Sequence, residues 1–533
     1  MKQSPDYQKL RGGYYTPQVV SDFIVEWGLK GSPKTVLEPS CGDGSFLRSL
    51  NKKINNEIAD EVYVQAVELD PVECEKSRMY GYDVRNMDFF EASDRFVASK
   101  SIDLAVGNPP FIRYQNFDED SRNLAFSQMR DAGFKPSKLT NIWVPFLVLS
   151  ALSLSEYGRL GMVVPAELLQ VNYAKECRDF LLRHFAKVTV ISFRKLLFDD
   201  AQQEVVLLLA ERGVHSDAKV SFVELNSKED LCEFDVNALG EDEYSSPSRD
   251  GKWTRFYLSN AQRRLLDRVA SQSGVSRSED LFETNVGVVS GENRYFVLDS
   301  ATVKQRHLKK YVTKIVSKSE NLKGILFSDD DYTKLSDQGK KVYFLELAEG
   351  VKTTGPLGEY IRYGEEMGYS ENYKCRIRRQ WYCVPTSWKP NGFALRQVNK
   401  YPRLVVNRTS ATSTDTIHKV RFKEGVIPEL VSAAFINSFT FALAETVGRS
   451  YGGGVLTFEP SEIRALMIPM ENAEKLPFER IDQLLREDRV EEALDITDEI
   501  LLHQGLGLTT EEIKVLQSAW TDLRDRRLSR RSR

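Results

Sequence analysis

Histidine and paired cysteine are scarce in this chain of 533 residues, which has five His and six Cys. No Cys-x-x-Cys pair occurs, and the cysteines are scattered at Cys41, Cys74, Cys177, Cys232, Cys375 and Cys383. This pattern is typical of a reducing cytoplasm and argues against a disulfide framework or a zinc site. Because the five histidines are isolated, a metal site built from His is not expected either, and the sequence predicts no metal.

Long apolar runs and an excess of one charge are also absent. The first residues lack the apolar run of a signal peptide, and the most apolar stretch, residues 143–154, is too short and interrupted to span a bilayer. Lys and Arg number 73 against 77 Asp and Glu, a formal net charge of −4. The whole molecule is therefore not a generic polyanion binder, and any nucleic-acid surface must come from local clusters of basic residues.

Short apolar strands and helices alternate over the first 210 residues. Strands rich in β-branched residues are predicted at 35–37, 62–68, 103–106, 159–164, 188–193 and 204–210, and helices at 45–53, 71–79, 141–155 and 174–184. Strands with continuous apolar character are buried on both faces, as in parallel sheets. The alternation predicts a doubly wound α/β sheet whose ligands bind past the carboxyl ends of its strands.

The alternation fades after about residue 213, and the chain length suggests two to four domains. The polar stretch 235–253, rich in Ser, Pro, Asp and Glu, predicts an exposed linker ahead of a second domain. The end of the chain, residues 478–533, is predicted to be helical and charged, with a basic last stretch.

A glycine loop follows the first predicted strand, in the sequence Glu38-Pro39-Ser40-Cys41-Gly42-Asp43-Gly44. Its two glycines allow a tight turn and a close ligand, although a buried turn alone has the same pattern. Leu47 stands where a dinucleotide fingerprint needs a third glycine, which disfavours NAD. The next strand ends in Glu68, an acid that can accept both ribose hydroxyls of an adenosine ligand or simply be solvated.

Two further segments carry chemistry-bearing residues. Asp88 and Phe89 place an acid beside aromatic residues; they could bind an adenine, or be a loop acid beside core aromatics. The fourth strand runs into Asn108-Pro109-Pro110-Phe111. The prolines fix φ and remove two donors, which leaves the Asn108 amide oxygen and the Pro109 carbonyl to accept hydrogen bonds from one –NH2 group. Phe111 offers a ring face, whereas the simplest alternative is a proline turn that only ends the strand.

Residues 11–211 resemble the gamma-class adenine-N6 DNA methyltransferases, with a TaqI-like catalytic domain. The resemblance implies a seven-stranded class I methyltransferase domain, Rossmann-like, with S-adenosyl-L-methionine as cofactor and the N6 of a flipped adenine as target. It implies that the catalytic residues are Asn108, Pro109, Pro110 and Phe111. It also implies cofactor contacts from Tyr15, Thr16, Pro17, Glu38, Ser40, Cys41, Gly42, Asp43, Gly44, Glu68, Asp88, Phe89 and Asn108.

One aromatic position departs from that family's pattern, and another is matched loosely. The family more often has Tyr where this chain has Phe111, a change that keeps the stacking face and loses a hydroxyl. Phe198, just before the last predicted strand, is the candidate for a second ring beside the flipped base. A Phe buried in the hairpin is an alternative interpretation of the same position.

The rest of the chain resembles the XhoI-like and AccI-like methylases of restriction–modification systems in segments 287–293, 374–378 and 448–454. Basic, aromatic and polar residues there are suited to phosphates and base edges, although each alone also fits an ordinary surface loop or charged strand face. The predicted DNA contacts are Asn293, Arg294, Lys374, Arg376, Arg378, Trp381, Asn407, Arg408, Arg449 and Tyr451. The predicted domains are 1–225 catalytic, 226–420 a mixed α+β target-recognition domain, and 421–533 a mainly helical region completing DNA binding.

The resemblance implies a sequence-specific adenine-N6 methyltransferase that acts on double-stranded DNA and protects host DNA from a cognate restriction endonuclease. That nuclease need not be bound to it. We expect a monomer that is cytoplasmic, nucleoid-associated and without a membrane partner. Two alternatives stay open: an N-methyltransferase acting on RNA such as rRNA, or a non-catalytic DNA-binding subunit of a defence complex.

Overall fold

The computed structural model describes residues 16–57, 62–198, 204–213, 218–240, 244–245, 252–386, 388–450 and 454–529. They form two compact units. The first runs to Tyr257, and the second comprises Leu258–Ser450 and Gly454–Leu528.

The first unit is built from strands that alternate with helices. Its helices are α1 (Gln18–Leu29), α2 (Ser45–Glu57), α3 (Pro71–Arg78), α4 (Phe89–Ser99), α5 (Glu119–Asp131), α6 (Trp143–Leu152), α7 (Glu167–Gln170) and α8 (Lys175–His184). Its strands are β1 (Thr35–Glu38), β2 (Tyr63–Glu68), β3 (Asp83–Asn86), β4 (Ile102–Gly107), β5 (Leu154–Pro165), β6 (Lys187–Phe193), β7 (Val205–Glu211), β8 (Lys219–Leu225) and β9 (Tyr244–Ser245).

These strands form one sheet in the order β3-β2-β1-β4-β5-β7-β6-β8-β9. The strands from β3 to β5 in this order pair in parallel, and β7 lies antiparallel to both β5 and β6. The first seven strands confirm the predicted class I α/β fold. Two additional strands extend the sheet, with β8 parallel to β6 and β9 antiparallel to β8.

Hydrophobic cores cover both faces of this sheet. Successive residues of β4 alternate between them from Leu104 onward, with Leu104 and Val106 in the core beneath α1 and α2, and Ala105 in the core beneath α4 and α6. Burial on both faces explains why the central strands are continuously apolar. The carboxyl edge of the sheet is thereby left to carry polar residues.

Several local predictions differ from the structure. The helix predicted at 141–155 ends at Leu152, because β5 begins at Leu154 and pairs with Ile102. Strand β3 was not predicted, since only Val84 of its four residues is buried. The alternation also continues past residue 213, because β8 pairs with β6 along its whole length. Helices α1, α4, α5 and α7 were likewise not predicted.

The predicted exposed linker, residues 235–253, is wrong at its two ends. Val236 is buried in the core beneath α1. Trp253 is buried as well and meets Phe222 edge-on, with ring centroids 5.5 Å apart. Apolar side chains at each end of the polar stretch therefore pack onto the first unit.

The second unit is a mixture of short strands and helices. Its strands are β10 (Val275–Arg277), β11 (Phe282–Asn285), β12 (Val297–Leu298), β13 (Val312–Val316), β14 (Leu326–Phe327), β15 (Tyr343–Leu345), β16 (Gly392–Leu395), β17 (Gln397–Val398), β18 (Leu404–Asn407), β19 (Thr412–Ser413), β20 (Ile417–Phe422), β21 (Arg449–Ser450), β22 (Leu456–Thr457) and β23 (Met467–Pro469). They form sheets in the orders β10-β23, β11-β20-β16-β18-β14, β12-β15-β13-β19 and β17-β22-β21.

Helices are concentrated toward the end of this unit. They are α9 (Asn260–Ala270), α10 (Ser278–Leu281), α11 (Asn293–Phe296), α12 (Ser300–Gln305), α13 (Asp329–Asp337), α14 (Gly355–Glu366), α15 (Tyr373–Arg376), α16 (Pro428–Ala434), α17 (Ser438–Val447), α18 (Pro460–Arg464), α19 (Phe478–Arg486), α20 (Val490–Thr497), a π-helical turn (Asp498–Gly505) and α21 (Thr510–Leu528). In the described ranges no single helix has the length and apolarity to cross a membrane; α16 and α17 pass that test only together, bent by 78°.

Candidate active site

Three adjacent parallel strands place the predicted site at one edge of the first unit's sheet. β1 pairs with β2 on one side and with β4 on the other. β1 ends at Glu38, β2 ends at Glu68, and Asn108 directly follows β4. Because parallel strands end on the same edge, these three residues lie at the edge where doubly wound sheets bind ligands.

The glycine loop is held against the end of β2. Glu68 accepts two backbone hydrogen bonds, from the N–H of Gly42 to Oε2 at 2.8 Å and from the N–H of Asp70 to Oε1 at 2.7 Å. The Ser77 hydroxyl donates to the Gly42 carbonyl at 2.8 Å. Burial raises the pKa of Glu68, while the two backbone hydrogen bonds lower it. The loop and the acid are therefore one structural element, although they are far apart in sequence.

Two buried oxygens at the start of this loop, on Glu38 and Ser40, have no hydrogen-bond partner among the residues that the structure describes. The Glu38 side chain is 1% exposed, and neither its Oε2 nor the Ser40 Oγ has a hydrogen-bond partner within the described part of the chain. Burial raises the pKa of Glu38 well above its ordinary value, and the charges of Asp43 and Glu68 raise it further. An unsatisfied buried polar atom costs about 1–3 kcal/mol, so a ligand whose donors reach these oxygens would recover that cost.

The two glycines of the loop have different surroundings. Both have positive φ, +52° at Gly42 and +81° at Gly44. A Cβ at Gly44 would lie 2.7 Å from the Tyr80 ring and 3.0 Å from the Ser77 hydroxyl, whereas a Cβ at Gly42 would meet no atom within 4 Å. The space beside Gly42 is therefore open to a ligand.

This difference predicts opposite outcomes for two alanine substitutions that share the same backbone penalty of about 1–2 kcal/mol. Gly42→Ala should weaken cofactor binding more than it lowers the unfolding temperature, because its methyl group enters the open space. Gly44→Ala should lower the unfolding temperature further, because its methyl group clashes within the fold. Calorimetric titration with cofactor and thermal unfolding of both variants measure this; a reversed ranking contradicts a ligand beside Gly42.

The residues that precede the first strand are tied to the same loop. Thr16 is buried, and the Pro17 carbonyl accepts hydrogen bonds from the first turn of α1. Asp22 of α1 accepts from the Ser49 hydroxyl of α2 at 2.7 Å. Since α2 begins at the glycine loop, this contact sets Thr16 and Pro17 relative to it. Tyr15 lies outside the described residues.

Asp88 and Phe89 begin α4 at the end of β3. The Asp88 carboxylate accepts from the Phe90 N–H at 2.9 Å and from the Ser121 hydroxyl at 2.5 Å. The Phe89 ring is 2% exposed and stacks on Phe146, with centroids 5.0 Å apart. The ring belongs to the core, so the adenine-binding role given to this pair stays a prediction.

The Asn-Pro-Pro-Phe segment leaves β4 at the carboxyl edge. Pro109 is buried, and Asn108, Pro110 and Phe111 are half-buried. The Phe111 ring packs against the hydrophobic cores of both sheet faces, one of which contains Phe198. Phe198 is itself buried, and its place beside a flipped base stays a prediction.

A polar cluster missed by the sequence analysis holds the chain that follows Phe111. Asn141 donates to the Tyr173 hydroxyl at 2.9 Å and to Glu167 Oε2 at 3.1 Å, and its Oδ1 accepts from the Tyr114 N–H at 3.4 Å. Burial and the neighbouring Glu167 raise the pKa of Tyr173, which also donates to that acid. A polar residue just ahead of the apolar helix α6 is the only local signal of this cluster.

Four predicted DNA contacts in the second unit are engaged in internal contacts. Arg378 donates to the Val289 and Trp381 carbonyls. The Trp381 ring packs on Tyr295, with centroids 4.9 Å apart. The Asn407 amide bonds Thr409 and Ala411 of its own loop and the Pro390 carbonyl, and Arg449 pairs with Glu462 at 2.8 Å. Their role in DNA binding stays a prediction.

The other predicted DNA contacts are exposed in the described part of the second unit. Lys374, Arg376 and Asn293 lie on the surface, Arg408 pairs with Glu429, and Arg294 pairs with Glu292 at 2.9 Å. Tyr451 lies outside the described residues.

Two protein families match consecutive regions of the chain. Residues 2–246 match the family described as N-6 DNA Methylase. Residues 250–502 match the C-terminal domain of the Type II methyltransferase M.Eco57I. The boundary between the two matches lies close to the end of the first structural unit at Tyr257.

Curated relatives align over most of the chain. M.AccI of Acinetobacter calcoaceticus, a Type II methyltransferase, is 23% identical over 91% of this chain and 90% of its own length. M.XamI of Xanthomonas campestris pv. amaranthicola, another Type II methyltransferase, is 23% identical over 86% of each chain.

Solved structures share the fold at low identity. The Type IIL restriction-modification enzyme MmeI in complex with DNA has a TM-score of 0.57 at 11% identity, over 96% of this chain and 75% of MmeI. The DrdV–DNA complex has a TM-score of 0.50 at 10% identity, over 94% of this chain and 59% of that chain.

The gamma-class assignment stays a prediction. With relatives aligned along most of its length, the chain thus joins a region that matches the N-6 DNA Methylase family to a region that matches the C-terminal domain of M.Eco57I.

Proposed function

We propose that this protein transfers a methyl group from S-adenosyl-L-methionine to the N6 of adenine at a specific sequence in duplex DNA, as a site-specific adenine methyltransferase. Its biological role would be to protect host DNA from a cognate restriction endonuclease. The observation that carries the proposal is the meeting of the glycine loop, the two strand-end acids and Asn-Pro-Pro-Phe at one edge of the sheet.

S-adenosyl-L-methionine is the cofactor of this family, and when bound it supplies an electrophilic methyl group. The hydrogen-bond donors of this cofactor fit the residues present at the carboxyl edge of the sheet. Glu68 is suited to accept the ribose hydroxyls of the cofactor. The buried Glu38 and Ser40 oxygens, which have no hydrogen-bond partner among the described residues, are suited to its remaining donors. The open space beside Gly42 leaves room for it.

Asn108 and Pro109 are proposed to orient the target amine. Proline has no N–H, so the turn presents the Asn108 amide oxygen and the Pro109 carbonyl as acceptors. Two hydrogen bonds from N6 pull its hydrogens out of the plane of the ring. The nitrogen lone pair is then less delocalised into the ring and is available to attack the methyl group. Positioning of this kind is the protein's main contribution when the cofactor supplies the reactive group.

Phe111 is proposed to hold the adenine ring outside the DNA helix. A base inside the duplex cannot reach the cofactor and must be flipped, at a cost of a few kcal/mol. Stacking on an aromatic ring is worth about 1–3 kcal/mol per base, so the Phe111 ring offsets much of that cost. Phe198, in the core that Phe111 contacts, is the candidate for a second ring beside the base.

Target recognition is assigned to the second unit. The first structural unit ends at Tyr257, which is beyond the end predicted for the catalytic domain at residue 225. The predicted domain boundaries at residues 225 and 420 stay predictions. Exposed Lys374, Arg376 and Arg408 are the residues proposed to contact the sugar–phosphate backbone, where cations fix register without reading sequence.

Purified protein incubated with methyl-labelled cofactor tests the proposal. Label should appear in duplex DNA as N6-methyladenine and not in ribosomal RNA, by nucleoside analysis after digestion. Label in RNA alone would establish the RNA alternative. Cofactor binding that fails altogether would favour the non-catalytic DNA-binding subunit.

A further inference from the structure

A cationic cavity lies in the second unit. Its volume is about 350 Å³, and its walls come from the start of α11, the end of β13 and the turn after α13. Four of its lining residues are cations, namely Arg294, Lys318, Lys340 and Lys341, and one, Glu320, is an acid. The rest of the lining is uncharged and consists of Asn293, Val297, Ser317, Asn321, Gly339 and Thr414.

The backbone that forms the cavity is held by internal hydrogen bonds. Thr414, 1% exposed, donates from its N–H to the Val316 carbonyl at 3.1 Å and from its hydroxyl to the Ser317 carbonyl at 2.9 Å. Gly339 has a φ of +68°, and the following Lys340 N–H donates to the Leu335 carbonyl at 3.0 Å. The floor is therefore preformed, while the charged side chains at the rim stay exposed.

The cations at the rim differ in how far they are already neutralised. Arg294 donates to both oxygens of Glu292, at 3.0 and 2.9 Å, and these hydrogen bonds lower the pKa of that acid. Lys318 Nζ lies 3.5 Å from Glu320 Oε1, and both side chains are largely exposed. An exposed ion pair of this kind contributes little to stability. Within the described residues, neither Lys340 nor Lys341 forms an ion pair. The cavity therefore has an excess of positive charge.

We propose that this cavity binds a backbone phosphate of the DNA substrate, with Lys340 and Lys341 as its principal cations. The inference rests on the proposed function and deepens it by naming where one phosphate is held. Exposed lysines contact phosphate oxygens without reading base identity. The volume lies within the range of small-ligand sites, so it admits a phosphate together with its sugar. The sequence analysis named Asn293 and Arg294 but neither lysine.

The salt dependence of DNA binding tests the lysine pair. Lys340→Ala/Lys341→Ala should reduce the slope of log K against log salt by about one, because the one phosphate held in the cavity contributes about 0.9. The affinity of the variant should then fall about 4-fold less than that of wild type between about 50 and 200 mM salt. The weakening should be equal on the recognition sequence and on unrelated duplex DNA.

The matched control is Lys309→Ala/Lys310→Ala. These two lysines are exposed and adjacent, and they precede β13, whereas the cavity lies at its other end. The control should keep the wild-type slope. An equal loss of slope in both double variants would show a diffuse electrostatic effect and overturn the proposal, as would an unchanged slope in the cavity variant.

Neutral methylphosphonate linkages, placed one at a time in the duplex, locate the contact. One linkage should weaken wild-type binding and have no further effect in the Lys340→Ala/Lys341→Ala variant. If every linkage has the same effect in both proteins, the cavity holds no phosphate. Binding is measured without methyl transfer, so a wild-type protein that binds DNA but does not methylate it would contradict the proposed function and not this inference.

Discussion

Replacing Asn108 by alanine is expected to abolish DNA methylation while lowering cofactor affinity only slightly, because Asn108 is only one of many predicted cofactor contacts. The substitution removes one of two acceptors proposed for the target amine, and loss of one preorganised hydrogen bond in an active site costs on the order of 10²–10³ in kcat. Asn108 follows β4, whereas the glycine loop is held by Glu68 and Ser77, so the cofactor contacts should persist. Single-turnover methyl transfer and calorimetric cofactor titration measure the two quantities.

Asn116→Ala is the matched control, because Asn116 is an exposed residue of the same connection after β4. This variant should methylate DNA at the wild-type rate and unfold at the wild-type temperature. Near-wild-type turnover by the Asn108 variant would refute the proposed chemistry. A parallel loss of cofactor affinity would instead give Asn108 a structural role.

Replacing Phe111 by leucine is expected to lower kcat/KM on duplex DNA by about 5- to 150-fold, which corresponds to the loss of about 1–3 kcal/mol of base stacking. Leucine keeps apolar contact with the two cores that Phe111 touches, so the fold should be retained. Fluorescence of 2-aminopurine at the target position should report less base flipping, with cofactor affinity unchanged.

Phe111→Tyr separates stacking from packing. Tyrosine keeps the ring face, so this variant should retain most of the activity. The leucine variant should lose activity, because it has no ring to stack on the base. Equal activity of the leucine and tyrosine variants, or unchanged 2-aminopurine fluorescence in the leucine variant, would remove Phe111 from adenine capture.

The sheet of the first unit could be predicted where its strands are buried on both faces. β4 is apolar from Leu104 to Val106 and β7 from Val205 to Ala210, and pattern alone finds them. β3 was not predicted, because its residues are mostly polar and its pairing with β2 depends on backbone hydrogen bonds. The strands of the second unit were not predicted for a related reason. Many of them have two to four residues, and they form only where tertiary structure brings a partner strand alongside.

The site could be predicted where its residues are contiguous. Asn-Pro-Pro-Phe and the glycine loop are local patterns, and the structure brings them to one edge through the parallel order of β1, β2 and β4. Asn141 and Tyr173 were missed because 32 residues separate two side chains that share a hydrogen bond. Lys340 and Lys341 face the same cavity as Arg294 only because α13 returns the chain toward β13.

The polar loops of the second unit show the limit of composition as a guide to DNA contacts. The run from Asn407 to Thr414 is suited in sequence to hydrogen bonds with DNA. In the structure, Asn407 uses its amide to close its own loop, and Thr414 bonds the Ser317 carbonyl. Short polar side chains often satisfy nearby backbone groups first, which sequence alone does not distinguish from a binding surface.

Long-read sequencing of genomic DNA from cells that express this protein is the most direct test of a methyltransferase acting on adenine in duplex DNA. We expect N6-methyladenine at one sequence motif in cells with the wild-type protein and none at that motif in cells with Asn108→Ala. Genomic DNA without N6-methyladenine in the wild-type cells, or with the same methylation in both, would contradict the account.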